Sequence, residues 1–290
     1  MFGNSKTVFL SLMILIGGCA SRQAGWDKST QAVSISAEEY KQLKDDAMKH
    51  WKARVNQENL EQSLATFEKI HAAKPADLET LIYLTRGYYF LADSHIDNMD
   101  KKKSTYEKAA SFGEKAMATN EAFKSSIKSG KSIEESLGTL TASEVPAIYW
   151  TAASLGKWAK ATGIAAALKY KTRIKAMIER VEKLDPNYFY GATSRYWGGF
   201  FAVAPSFAGG DMKKSREQFE KSLKIAPEYQ GTKVLMADVY WTKQGDKAQF
   251  KRYLEEVLNS KFDTHPELGP ENTLEKKKAE KLLSNIDELF

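Results

Sequence analysis

The chain has 290 residues, 42% of them hydrophobic and 28% charged, with a formal net charge of +6. That apolar content excludes a disordered chain and sustains a core for one large domain or two ordinary ones. The basic excess is interleaved with glutamates, as in Glu275-Lys276-Lys277-Lys278-Ala279-Glu280-Lys281, which is the pattern of a solvated helix face; it argues against nucleic-acid binding and leaves attraction to anionic lipid or an acidic partner open.

Lys6 supplies a short positive region, and Val8 to Ile16 is a nearly unbroken apolar run, too short to cross a bilayer as a permanent helix. Gly17, Gly18 and then Cys19, the single cysteine of the sequence, follow it. A lone cysteine in an exported chain has no internal disulfide partner. Placed directly after Ile16-Gly17-Gly18, it resembles the acylated cysteine of a bacterial lipobox. The expected organisation is a signal peptide over 1–18, an acylated tether over 19–34 and a folded body over 35–290. Ala20 after the cysteine goes, in many Gram-negative bacteria, with the outer membrane. The tether is small and polar except for Trp26.

Helix signals begin at Ser36 and Glu39, a capping box ahead of Tyr40, Leu43, Ala47 and Trp51. A second box is Ser132 with Glu135, and an amphipathic helix from Leu274 to Leu289 reads as the cap of an array. Between them one pattern recurs: Phe67-Glu68-Lys69 to Pro75, Ile178-Glu179-Arg180 to Pro186, and Phe219-Glu220-Lys221 to Pro227. Gly113-Glu114-Lys115 is a fourth copy without the proline, and a degenerate fifth starts at Tyr253. Small or apolar residues four before and three after each start make one stripe along a helix, and the proline stops that helix. These helices resemble the second helix of a tetratricopeptide repeat, whose ideal period is about 34 residues. The starts are separated by 46, 65, 41 and 34 residues, so the expected fold is all-α, with interrupted tetratricopeptide-like hairpins forming one superhelical domain. No strand alternation is evident.

The segments between the repeats are more distinctive. VPAIYWTAASLGKW runs from Val145 to Trp158, and DPNYFYGA from Asp185 leads through RYWGG, starting at Arg195, to Pro205 and Gly209-Gly210-Asp211. With the lipobox and the repeats, from about Tyr40 to Leu258, the sequence resembles the T-component family of TRAP transporters. The resemblance implies a lipid-anchored helical-repeat protein of the cell envelope that works with a periplasmic solute-binding protein. It also implies homo-oligomers, a trimer among them, and a helper role in uptake of a small apolar or carboxylate-bearing solute.

Trp150, Ser154 and Trp158 fall near one helical face and either line a pocket for an apolar ligand or form packing core. Arg195 is the only charged residue between Pro186 and Gly210; it is either a clamp for an organic acid, an internal salt bridge or an exposed side chain. With Tyr196 and Trp197 these residues make the candidate ligand site. Gly209-Gly210-Asp211 reads as a loop ending in the N-cap of the helix that carries Phe219. Ser129-Gly130-Lys131-Ser132 ends like a P-loop but has Ser125 where the motif needs glycine and no preceding strand, so Ser132 is read as a helix cap. Asp93, His95, Asp97 and Asp100 lack the glycine and closing glutamate of a calcium loop and read as a solvated insertion. No metal, cofactor or catalytic role is expected, since HExxH and GxSxG are absent. The function expected is that of a transport accessory protein; the alternative is a ligand-free adaptor for envelope assembly. An enclosed aromatic cavity would favour the first, and an open polar face the second.

Overall fold

The computed structural model describes residues 22, 24–26, 34–261 and 266–290. Cys19 and the signal-like run before it lie outside the described residues. The recurrent pattern lands on the second member of successive helix pairs. Helices α1 (Ala37–Lys52) and α2 (Gln57–Ala73) form the first pair, and α3 (Leu78–Ser94) and α4 (Met99–Met117) the second. After the short α5 (Glu121–Lys128) and α6 (Ile133–Ser136) come the pairs α7 (Val145–Thr162) with α8 (Ile164–Leu184), and α9 (Tyr188–Val203) with α10 (Met212–Ile225). A broken helix follows: α11 (Gln230–Leu235), a π-helical stretch Met236–Trp241 and α12 (Thr242–Gln244). It packs on α13 (Lys247–Asn259); α14 (Gly269–Ser284) and α15 (Ile286–Leu289) end the chain. The described residues contain no strand, and the molecule is all-α.

Local chemistry accounts for the helix ends. Ser36, Asn56, Asp77, Asn98 and Asn120 each place a side-chain oxygen on a backbone N–H of the first turn that no carbonyl can reach. Ser132 and Glu135 make the reciprocal capping box, and Asp211 caps α10. Helices α2, α8 and α10 stop at Ala73, Leu184 and Ile225, each two residues before Pro75, Pro186 and Pro227.

The stripes form the seams. Ser63, Phe67 and Ile70, then Ala109, Gly113 and Ala116, then Ile174, Ile178 and Val181, then Ser215, Phe219 and Ser222 are all buried. Their serines do more than save space: Ser63 donates to the Ala47 carbonyl at 2.9 Å, Ser215 to that of Gly198 at 2.7 Å and Ser222 to that of Gly191 at 3.1 Å. Gly113 lets α4 meet α7 so closely that a Cβ there would lie 1.9 Å from Thr151 Oγ1. The degenerate fifth copy is corrected by one residue: Phe250, Leu254 and Val257 are fully buried on α13, whereas Gln249, Tyr253 and Glu256 are not. The Tyr253 start matched the charge pattern, but the apolar spacing set by packing begins at Leu254.

Two expectations differ from the structure. Asp93 does not sit in a solvated insertion; it lies in the last turn of α3 with Lys157 Nζ at 2.6 Å, Lys278 Nζ at 2.5 Å and the Tyr106 hydroxyl at 2.9 Å. The two ammonium groups hold its carboxyl well below the usual range against the opposing effect of burial, whereas Asp97 and Asp100 are exposed. The helix expected from Leu274 to Leu289 starts at Gly269 and is broken at Asn285 into α14 and α15; α14 packs on α11 and α13 and also reaches back to the early helices, where Glu271 meets Arg54 and Arg86. Its polar face carries the charges that the apolar early helices need as partners.

Candidate functional site

The DPNYFYG segment opens α9 in an unusual way. Phe189 (φ 42, ψ 59), Tyr190 (φ 60, ψ 48) and Gly191 (φ 70, ψ 32) are all left-handed, which costs a non-glycine residue about 1–2 kcal/mol each. Arg195 holds this turn from one helical turn downstream. Its Nη1 donates to the Tyr190 carbonyl at 2.9 Å and its Nη2 to the Phe189 carbonyl at 3.3 Å. The guanidinium lies 4.3 Å from the centre of the Tyr229 ring, and Tyr190 stacks on the same ring at 5.7 Å. A buried guanidinium is thus satisfied by backbone carbonyls and an aromatic face.

The turn forces three aromatic side chains to the wall of an open groove of ≈ 680 Å³, lined also by Arg86, Asp185, Asn187, Ile225 and Glu228. Arg86 comes from α3 and lies over the Phe189 ring at 4.8 Å and the Trp150 ring at 5.5 Å. Its Nη2 donates to Glu271 Oε1 at 2.5 Å, while Arg54 Nη2 donates to Glu271 Oε2 at 2.6 Å. Burial draws Arg54 below its ordinary value, Glu271 opposes that, and repulsion from Arg86 across the shared carboxylate adds to the lowering. A guanidinium nevertheless stays protonated at neutral pH. Glu271 is held below the usual carboxylate range by the two arginines despite its burial. Two cations share the Glu271 carboxylate, Arg86 Nε has no hydrogen-bond partner among the described residues, and Asp185 and Glu228 place acidic side chains on the groove lining beside it. The Arg86 guanidinium between ring faces is the one cation of this lining that can accept a carboxylate, with the rings beside it for an apolar body.

Of the residues singled out in the sequence, Trp150 and Arg195 both meet Phe189, the first ring to ring at 4.8 Å and the second through the backbone. The others lie elsewhere. Ser154 is buried and donates to the Trp150 carbonyl within its own helix at 2.7 Å. Trp158 packs edge-on against Tyr170 at 5.1 Å. Trp197 donates to Glu182 at 3.1 Å, and Tyr196 stacks with Phe200. Arg54, Arg86 and Glu271 were not foreseen. Arg86 carried the signal used for Arg195, a single charge in an apolar run from Thr80 to Ala92, whereas nothing local marks Glu271 as its partner.

Three residues of the stretch read as a tether touch the body. Arg22 donates to both oxygens of the fully buried Glu114, at 2.5 and 2.8 Å, and to Ser111 Oγ at 2.8 Å. The Gly25 amide donates to the same carboxylate at 2.6 Å, and Trp26 meets Phe123 edge-on at 6.4 Å. No described group of three or more His, Cys, Asp or Glu is arranged to hold a metal ion, and no described helix is long and apolar enough to cross a membrane.

A family model described as TRAP transporter T-component matches residues 54–290. No curated protein is found to match the chain. The matched span takes in the groove, Arg54, Arg86 and Glu271, together with all five repeat helices from Phe67 onward.

Proposed function

This chain belongs to the TRAP transporter T-component family, an accessory component of solute uptake at the cell envelope, and from that premise we propose that it is an acylated lipoprotein that docks a periplasmic solute-binding protein and receives a small organic acid in the Arg86 groove. Cys19 carries the lipid, in the outer membrane facing the periplasm. The body is built of tetratricopeptide-like hairpins and assembles as a homo-oligomer, a trimer being the form the family resemblance implies.

The observation that carries the ligand assignment is Arg86, a cation framed by Phe189 and Trp150 at the floor of an open aromatic groove. Trp150 and Arg195 serve this site from behind, by packing on Phe189 and by holding its backbone. Trp158, Ser154, Tyr196 and Trp197 support the helices around it.

The groove is open rather than enclosed, which also favours the adaptor reading, in which an extended segment of a partner lies across it. Calorimetric titration of the purified full chain with a series of aliphatic and aromatic carboxylates separates the two. Binding that is lost in Arg86→Met and weakened in Asn187→Ala, with circular dichroism unchanged, supports the ligand site. Asn187 is exposed and its side chain makes no cap hydrogen bond, so Asn187→Ala keeps the backbone bonds of the turn and remains informative where Arg86→Met unfolds. No heat with any carboxylate, combined with retention of the solute-binding protein by the immobilised chain, transfers the groove to the partner.

A further inference from the structure

The turns α3–α4, α7–α8 and α9–α10 lie along one edge. Lys157 near the end of α7 reaches Asp93 at the end of α3, and Lys171 at the start of α8 reaches the Ala208 carbonyl at 2.8 Å in the α9–α10 turn. Five of the large apolar side chains that the molecule leaves exposed are on this edge: Met99, Ile164 (82% exposed), Leu168, Val203 and Phe207 (90%). Ile164 and Leu168 are one turn apart on α8 and share a face. The charge is basic along α7 and α8, whereas the α3–α4 turn adds the exposed Asp97 and Asp100 and the α9–α10 turn adds Asp211. From Val145 to Ile178 the sequence has no acidic residue but has Lys157, Lys160, Lys169, Lys171, Arg173 and Lys175. Lys160 and Lys169 are exposed, as are Lys101 and Lys213 from the neighbouring turns.

The N-terminal strap runs toward this edge. Trp26 lies by Ala118 and Phe123, beyond the end of α4; Gly25 lies against Ser111; Arg22 reaches Glu107 at 3.8 Å. Gly25 has no room for a side chain, since a Cβ would stand 2.8 Å from the Ser111 carbonyl oxygen. Cys19 precedes Arg22 by three residues, a reach of about 10 Å. From Glu107 back to Met99 is eight residues of helix, roughly 12 Å. At full extension, that length lets acyl chains carried by Cys19 reach the edge with the exposed apolar side chains.

We propose that this edge is the membrane-facing surface of the protein, with Ile164, Leu168 and Phe207 entering the interface of an anionic phospholipid bilayer and the lysines of α7, α8 and the α9–α10 turn on its headgroups. Its orientation element rests on the acylation of Cys19, whereas its apolar and basic contacts do not. The Arg22–Glu114 pair ties the strap to the body three residues after Cys19, which shortens the leash between anchor and body. Amphipathic surfaces with lysine around exposed apolar residues bind anionic interfaces in this way.

The test uses the full chain purified from its envelope and reconstituted into phosphatidylethanolamine–phosphatidylglycerol vesicles. Intact mass reads whether Cys19 is acylated and so judges the anchor separately. A fluorophore is placed through Phe207→Cys or, as the far-end control, Lys183→Cys, on a Cys19→Ser background if the mass shows a free thiol. Doxyl-labelled lipid is expected to quench the label at 207 and leave that at 183 unchanged, because α8 from Ile164 to Lys183 spans roughly 30 Å. With an unacylated chain the same result, abolished by high salt, still supports the edge while the anchor reading falls. Equal quenching at both positions, quenching at 183 alone, or quenching at neither overturns the proposal, the last being the result expected if the edge is covered by a second copy or by another protein.

Discussion

At the α9–α10 seam, Phe219 fills the space left by Gly198, and Ser215 and Ser222 each donate to a carbonyl of the facing helix. At the start of the same α9, Phe189 and Tyr190 adopt left-handed conformations that neither residue favours, and a guanidinium from Arg195 holds them there. The seam is a place where every local preference agrees with the fold: small residues allow close approach, the aromatic ring is dry, and each hydroxyl has an acceptor. The groove wall is a place where local preference is overruled by distant partners. Strain of that kind persists only where surrounding contacts over-determine it, and it collects at binding sites. The difference separates a part of the molecule where packing and local preference agree from the part proposed as the ligand site.

Mutations that empty the seam should have the largest effect. Phe219→Ala leaves a cavity among Gly198 and the helices around it, and a loss of about 3–5 kcal/mol is expected in urea unfolding. Glu271→Ala is of the same order, about 3–5 kcal/mol, because it leaves two guanidinium groups without their carboxylate. The two differ in pH dependence. Glu271 has a folded value below its ordinary 4.5, so the stability it contributes is full above that pH and is lost as pH falls through the lower folded value. The acid limb of the unfolding curve should therefore flatten in Glu271→Ala and keep its slope in Phe219→Ala; equal slopes would remove Glu271 from the acid response.

Gly198→Ala sharpens the comparison at lower cost. Its new Cβ would stand 2.7 Å from the Phe219 ring, and overpacking of about 1–3 kcal/mol is expected in the same assay. His71 gives a further measure of the packed half. Burial first, then the Lys115 charge, lowers its pKa to about 4. The unfolded chain takes up that proton first, so stability should fall by about 2 kcal/mol as pH drops from roughly 6.5 toward 4. His71→Gln should lack that part of the slope, and an unchanged slope would show that the ring is solvated.

The smallest effect is expected at Phe189→Gly. Relief of a left-handed backbone offsets loss of a half-buried ring, and the net change should stay within about 1 kcal/mol. A loss of 3 kcal/mol or more would mean that the ring is core and that the groove wall is no different in kind from the seams.

The sequence by itself determined the all-α class, the caps at Ser36, Ser132 and Asp211, the three proline-marked helix stops and four of the five seams. These depend on residues close in the chain: a cap and its first turn, a proline two residues past a helix, a stripe repeated every one or two turns. It also exposed Arg195 as a charge in an apolar setting and selected Trp150, but not what either touches. Only the tertiary structure decided that Arg195 supports a left-handed turn, that Arg86 faces the groove, and that Glu271 on α14 answers both Arg54 and Arg86. The same holds for Glu114, one of four similar repeat glutamates, which is buried because Arg22 and Gly25 from the far N-terminal segment satisfy it. The physical reason is common to these cases. Helix periodicity is written in neighbours a turn apart, whereas the cost of burying a charge is set by the partner that meets it, and that partner can come from anywhere in the chain.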